Sequence, residues 1–180
     1  TVSYSAPSGG PTVSGNKVTF NYSNSFASSV SVAGTMNGWS TTANTMTKSG
    51  SNFTCTMELP SGMYEYKFVV NGSTWVADPT NGNTIGNDGN SVLIVPGIIA
   101  TNISVKKGTT TVKLPSELTY ISASGESTKE VTYTESVDGV SISGNVLTLA
   151  TGFSKTEFEI TATTADNQTA IVKVFVYEPA

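Results

Sequence analysis

Apolar and polar residues alternate along most of the chain in short runs, and clusters of Gly, Asn, Asp, Ser and Pro cut these runs apart. A period of two places successive side chains on opposite faces, so each run predicts a half-buried β-strand. In the first half the predicted strands are Lys17 to Tyr22, Val30 to Gly34, Thr45 to Lys48, Phe53 to Leu59, Tyr64 to Val70 and a return strand carrying Trp75, followed by Ser91 to Val95, which does not alternate but is a continuous β-branched run suited to a buried strand. Thr1 to Gly15, rich in Ser, Gly and Pro, reads as a loose lead-in with one edge strand, Val2 to Tyr4.

The run Tyr64 to Val70 carries the most information. Alternation puts Tyr66, Phe68 and Val70 on a core face and Glu65, Lys67 and Val69 on a solvated face. Asn71-Gly72 supplies the positive backbone angles of a primed hairpin turn, the returning strand brings Trp75 back beside the hairpin, and Asp78-Pro79 ends it. Upstream, Thr35 to Ser40 is turn-like around Asn37-Gly38, so Trp39 is expected to project at or just after that turn. Thr80 to Asn90 holds too many Asn, Asp and Gly residues for a strand and reads as a long loop.

Pro96-Gly97 punctuates the chain, and a second series of strand signals follows at Thr101 to Val105, Thr109 to Leu114, Thr119 to Ser122, Glu130 to Ser136, Val140 to Ser143, Val146 to Leu149, Thr156 to Thr163 and Ala170 to Tyr177. About seven or eight short strands without a helix is the complement of an immunoglobulin-like sandwich. The pattern therefore predicts an all-β protein of two β-sandwich domains in tandem, residues 1–96 with a core from about 15, and residues 97–180. The apolar pair Ile98-Ile99 is placed at the joint, where it would stiffen the two domains against each other.

Composition narrows the function. The chain has 180 residues, 37% hydrophobic and 12% charged, enough to bury a core in one large β domain or two small ones. Its 13 acidic residues outweigh 9 basic ones, all lysine, so no cationic surface is available for phosphates and nucleic acid is not an expected partner. With no histidine, the usual general base and the commonest metal ligand are missing together. Cys55 alternates with Phe53, Met57 and Leu59 as a small buried hydrophobe, and a lone cysteine makes neither an intrachain disulfide nor a cysteine zinc site. No apolar run reaches membrane-spanning length.

A glycosidase needs two carboxylates about 5 to 9.5 Å apart across a cleft. The first half offers only Glu58, Glu65, Asp78 and Asp88, none within a catalytic signature, so no catalytic residue is assigned. Asn87, Asp88 and Asn90 lack the ordered spacing and closing glutamate of a calcium loop, so no metal site or cofactor is assigned either.

Several segments occur together in a recognisable order: Val30-Ser31-Val32-Ala33-Gly34-Thr35-Met36-Asn37-Gly38-Trp39, Leu59-Pro60-Ser61-Gly62, Tyr64-Glu65-Tyr66-Lys67-Phe68-Val69-Val70-Asn71-Gly72, Trp75 with Asp78-Pro79, and Asn90-Ser91-Val92-Leu93-Ile94-Val95. In these, roughly residues 15 to 96 resemble the glycogen- and starch-binding modules of carbohydrate-binding family 48, the type found in the β subunit of AMP-activated kinase and ahead of many α-glucan-debranching enzymes. The resemblance implies an early-set immunoglobulin-like sandwich and a glucan site at Trp39, Lys67, Trp75 and Asn90. Indoles would cover the C–H face of a sugar ring while Lys and Asn bond its hydroxyl rim. The loop Thr80 to Asn90 departs from the kinase-subunit type, being Asn/Gly-rich without a hydrophobic tip.

The expectation is then non-catalytic binding of α-1,4-linked glucan by a monomeric fragment of a larger multidomain protein, bacterial and secreted or cell-surface, with no membrane insertion in this fragment. The second domain is expected to be a spacer or accessory domain. The alternative carried beside it is that both domains are spacers or protein-interaction modules of a multidomain amylase or pullulanase, without glucan binding of their own.

Overall fold

β-Branched and aromatic residues at every second position, broken by glycine- and asparagine-rich turns, give an all-β chain. The structure is a computed structural model and describes residues 9–178. The expected edge strand Val2 to Tyr4 lies outside the described residues.

The strands in chain order are β1 (Thr12–Ser14), β2 (Lys17–Ser23), β3 (Val30–Gly34), β4 (Thr47–Ser49), β5 (Asn52–Glu58), β6 (Gly62–Val70), β7 (Thr74–Val76), β8 (Thr84–Ile85) and β9 (Asn90–Val95). There follow β10 (Gly97–Ile98), β11 (Ile103–Lys106), β12 (Thr111–Lys113), β13 (Glu117–Ser122), β14 (Gly125–Thr134), β15 (Val140–Ser143), β16 (Val146–Leu149), β17 (Glu157–Thr164) and β18 (Thr169–Tyr177). Three short strands escape the alternation pattern: β1 within the lead-in, β8 within the Asn/Gly-rich loop, and β10 at the punctuation. Runs of two or three residues are too short to show a period, and only pairing with a neighbour defines them.

The described residues fall into two units, one formed up to Pro96 with Ile121–Gly125, the other from Gly97–Tyr120 and from Glu126 onward. In the first unit a four-stranded sheet in the order β1-β2-β5-β4 faces a five-stranded one, β3-β6-β9-β8 with β7 paired to β6. The core between them takes Val18 and Phe20 from β2, Phe53 from β5, Val30 and Val32 from β3, Tyr66, Phe68 and Val70 from β6, and Leu93 and Val95 from β9. Phe20 meets Tyr66 edge to face at 5.1 Å, a favoured arrangement of ring quadrupoles. Cys55 is half-buried against this core, and burial raises its thiol pKa.

The second unit has a six-stranded sheet, β10-β13-β14-β17-β18-β11, and a three-stranded one, β12-β16-β15. Its edge strand β11 runs parallel to β18, while β17 and β18 form a long antiparallel pair from Glu157↔Phe175 to Thr163↔Thr169. Ile98, expected at the joint, is buried in this unit's own core with Val105, Leu118, Phe158 and Ile160.

The site is built on β6, the centre of the five-stranded sheet. It pairs antiparallel with β3 from Val30↔Val70 to Gly34↔Tyr66 and with β9 from Gly62↔Val95 to Tyr66↔Ser91. Gly34 allows the chain to leave β3 close against β6: a Cβ there would lie 2.3 Å from the Glu65 carbonyl oxygen, a separation no side chain tolerates.

Candidate carbohydrate-binding site

Tyr66, Phe68 and Val70 are buried as the alternation predicts, and Glu65 and Lys67 lie half-buried on the outer face. Val69 departs from the expected solvated face and is only 1% exposed. The register explains it: Trp75 sits directly opposite Val69 on β7, so the indole shares that outer face and roofs the valine. Trp75 itself is 43% exposed. The turn that returns it has positive φ at both Asn71 (51°) and Gly72 (77°), and the Ser73 amide closes it on the Val70 carbonyl.

Trp39 arrives from the other side of β6. After β3 the chain makes one 3-10 turn, Thr35–Asn37, and then holds Gly38 and Trp39 in the left-handed region at φ 62° and 60°. For a residue as bulky as tryptophan this conformation costs about 1–2 kcal/mol and persists only where the surroundings impose it. Asn37 is the clamp. Its side-chain oxygen accepts from the Gly34 amide at 3.0 Å, and its NH2 donates to the Val32 carbonyl at 2.9 Å and to the Asn44 side-chain oxygen at 2.7 Å. The Trp39 amide then bonds the Gly34 carbonyl at 2.8 Å. The Glu65 amide donates to Thr35 Oγ1 at 3.1 Å, tying the turn to β6.

The two indoles meet. Their ring centroids are 6.2 Å apart and their planes inclined by 49°. Lys67 and Asn90 complete the arrangement: the β6–β9 register that pairs Tyr66 with Ser91 puts Asn90 one step on, across from Lys67. All four sequence-predicted residues, Trp39, Lys67, Trp75 and Asn90, line one open cavity of about 250 Å³ together with Asp88.

Two members escaped the sequence reading. Asp88 supplies a backbone carbonyl that accepts from Lys67 Nζ at 2.6 Å, so the lysine is anchored by the main chain. Glu65 Oε2 accepts from Asn90 Nδ2 at 2.8 Å. Alternation had placed Glu65 on the face of Lys67, but only the register reveals its partner.

Behind the site the loop after Trp75 is held by a buried polar cluster. Asp78 accepts from the Tyr66 hydroxyl at 2.7 Å and from the Thr80 amide and hydroxyl at 2.8 and 2.7 Å, and its own amide donates to Ser91 Oγ. Asn81 donates to the Tyr66 oxygen and to the Val92 carbonyl. Burial pushes the Tyr66 phenol far above the usual tyrosine range; the Asn81 bond opposes this shift and the neighbouring Asp78 carboxylate adds to it.

Set beside known proteins, the first unit finds a counterpart. Residues 16–97 match the family model described as the glycogen recognition site of AMP-activated protein kinase. The matched range contains Trp39, Lys67, Trp75 and Asn90. No curated protein matches the chain. Among solved structures, the maltogenic amylase from S. marinus aligns at 12% identity and a TM-score of 0.38, covering 95% of this chain and 31% of that one. SGBP-B of the Bacteroides ovatus mixed-linkage glucan utilization locus, in complex with a mixed-linkage heptasaccharide, aligns at 12% identity and a TM-score of 0.24, covering 98% of this chain and 45% of that one. The chain thus spans less than half the length of either structure.

Proposed function

We propose that the face carrying Trp39, Lys67, Trp75 and Asn90 binds α-1,4-linked glucan, as starch, glycogen or maltooligosaccharide, without catalysing its cleavage. The observation that carries this reading is the pair of indoles 6.2 Å apart and inclined by 49° beside a lysine and an asparagine. Each indole face matches the C–H face of one sugar ring, and the inclination suits a curved α-1,4 chain better than a flat β-1,4 chain. Lys67 and Asn90 provide hydrogen bonds for the hydroxyl rim. The family match over residues 16–97 points the same way.

Three of the first unit's four acids, all but the cavity-lining Asp88, are engaged away from any paired-carboxylate arrangement, which supports a binding role over hydrolysis. Asp78 is buried and saturated by Tyr66 and Thr80, Glu65 is bonded to Asn90, and Glu58 stands opposite Lys17 in the other sheet. The second unit serves in this reading as an immunoglobulin-like spacer or accessory domain of a larger bacterial protein, secreted or held at the cell surface, that degrades or adheres to α-glucan. An affinity carried by two rings and two polar groups is modest, and several such sites on one granule multiply it.

Retention on insoluble starch tests the proposal. The unaltered chain is expected to be retained on starch and to pass cellulose, and W39A and W75A are each expected to abolish retention. Unchanged retention of both variants overturns the site, and no heat from the unaltered chain with maltoheptaose or β-cyclodextrin favours a spacer or protein-interaction role.

A further inference from the structure

We propose that Glu65 is a specificity-determining positioning residue of this face: by accepting from the Asn90 amide it fixes which end of that amide meets the ligand. The inference rests on the α-glucan reading above and adds a residue that the reading itself does not require.

Asn90 Nδ2 donates to Glu65 Oε2 at 2.8 Å, so the NH2 end of the amide faces the carboxylate. The Asn90 carbonyl oxygen is thereby left as the acceptor for the cavity. Across the strand pair, Lys67 is a donor only, and its Nζ is steadied at 2.6 Å by the Asp88 carbonyl. The rim beside the indoles therefore presents one anchored donor and one anchored acceptor, both lining the same cavity.

That pairing fits two neighbouring sugar hydroxyls, one accepting from lysine and one donating to asparagine. Without Glu65 the Asn90 amide is free to rotate by half a turn and offer NH2 beside the ammonium, two donors where the ligand needs one of each. The carboxylate thus pre-orders the amide and lowers the ordering cost on binding. It touches Asn90, not the glucan, in this scheme.

Calorimetry with maltoheptaose on the full chain tests it, using E65Q, E65L, E65T, N90A and the double variant E65L/N90A. Glutamine keeps an acceptor oxygen at the same reach, so E65Q is expected within about twofold of the unaltered chain. E65L and E65T, which have no acceptor in reach of Asn90, are expected to weaken binding about five- to tenfold, the size of one hydrogen bond. N90A is expected to weaken it similarly, and E65L/N90A no further than N90A alone. Thermal midpoints are measured for each variant, and E65T, a good strand former, replaces E65L if the latter is poorly folded.

The inference is overturned if the truncations bind like the unaltered chain, if E65Q is as weak as E65L, or if the E65L and N90A losses multiply. Failure of the underlying reading looks different, since then the unaltered chain itself gives no heat and both ideas fall together. Binding that W39A abolishes and E65L leaves untouched removes only the role of Glu65.

Discussion

The Trp39 amide donates to the Gly34 carbonyl across 2.8 Å, and this bond spans a turn in which the tryptophan itself is left-handed at φ 60°. A conformation that favours glycine is here occupied by the residue that meets Trp75. The backbone strain and the proposed ligand surface are therefore two aspects of one position.

Glycine at that position relieves the strain, and alanine does not. W39G is expected to be more stable than W39A by about 1 kcal/mol, although both lose starch retention. Urea unfolding of the two variants measures the difference. Equal stability would show that the left-handed conformation is not imposed on residue 39.

Asn37 holds the turn through three hydrogen bonds to Gly34, Val32 and Asn44. N37A leaves these groups without their partner and is expected to destabilise the first unit by about 2–3 kcal/mol. Because Trp39 is then no longer held against Trp75, retention on starch is expected to fall as well. N37D keeps the acceptor for the Gly34 amide but sets a carboxylate oxygen against the Val32 carbonyl and the Asn44 side-chain oxygen, so it is expected to lose at least as much of both in the same two assays.

Asn71 does a parallel service at the other turn. Its side-chain oxygen accepts from the Ser28 amide at 2.9 Å, the Ser28 hydroxyl at 2.8 Å and the Ser29 amide at 3.2 Å, pinning the loop between β2 and β3. N71G keeps the left-handed backbone and loses only the acceptor, whereas N71A loses both. Their difference is expected at about 1 kcal/mol in favour of glycine, with N71D closest to the native chain. Thermal unfolding of the three variants orders them.

Alkaline pH probes the buried cluster. The folded pKa of Tyr66 is raised because burial disfavours its phenolate. The stabilising difference is thus fully present below about pH 10, the ordinary tyrosine value, and is lost above it as the unfolded chain gives up a proton that the folded one retains. Stability is expected to fall by about 1.4 kcal/mol per pH unit on account of Tyr66 alone. Y66F removes that share of the slope, at the expense of leaving Asp78 Oδ2 without its donor. Denaturant unfolding at a series of pH values from neutral to alkaline gives both slopes, and an identical slope in Y66F counts against the assignment.

The elements that the sequence announces are those whose signal is local. Val30–Gly34, Val140–Ser143 and Val146–Leu149 form over the predicted bounds, although Val30–Gly34 is buried on both faces rather than alternately, and the Asn71-Gly72 turn has the positive angles its residues suggest. Trp39 and Trp75 beside turns and Lys67 on the outward face of a strand stand out in the pattern itself, whereas grouping them with Asn90 as one candidate site came from the family resemblance, and their shared cavity is a property of the fold. Missing from the pattern were Thr12–Ser14, Thr84–Ile85 and Gly97–Ile98, too short to alternate. Val69 reads as outward from its own strand and is buried by a tryptophan from the next.

By itself, then, the chain determined an all-β protein, the strands of its core and the residue types of a candidate site. Convergence was decided only in three dimensions. Trp39 meets Trp75, Lys67 finds the Asp88 carbonyl and Glu65 takes the Asn90 amide because β6 pairs with β3, β7 and β9 in one particular register. Propensity and turn chemistry act over a few neighbouring residues, whereas register follows from packing two sheets around Phe20, Tyr66 and Phe68.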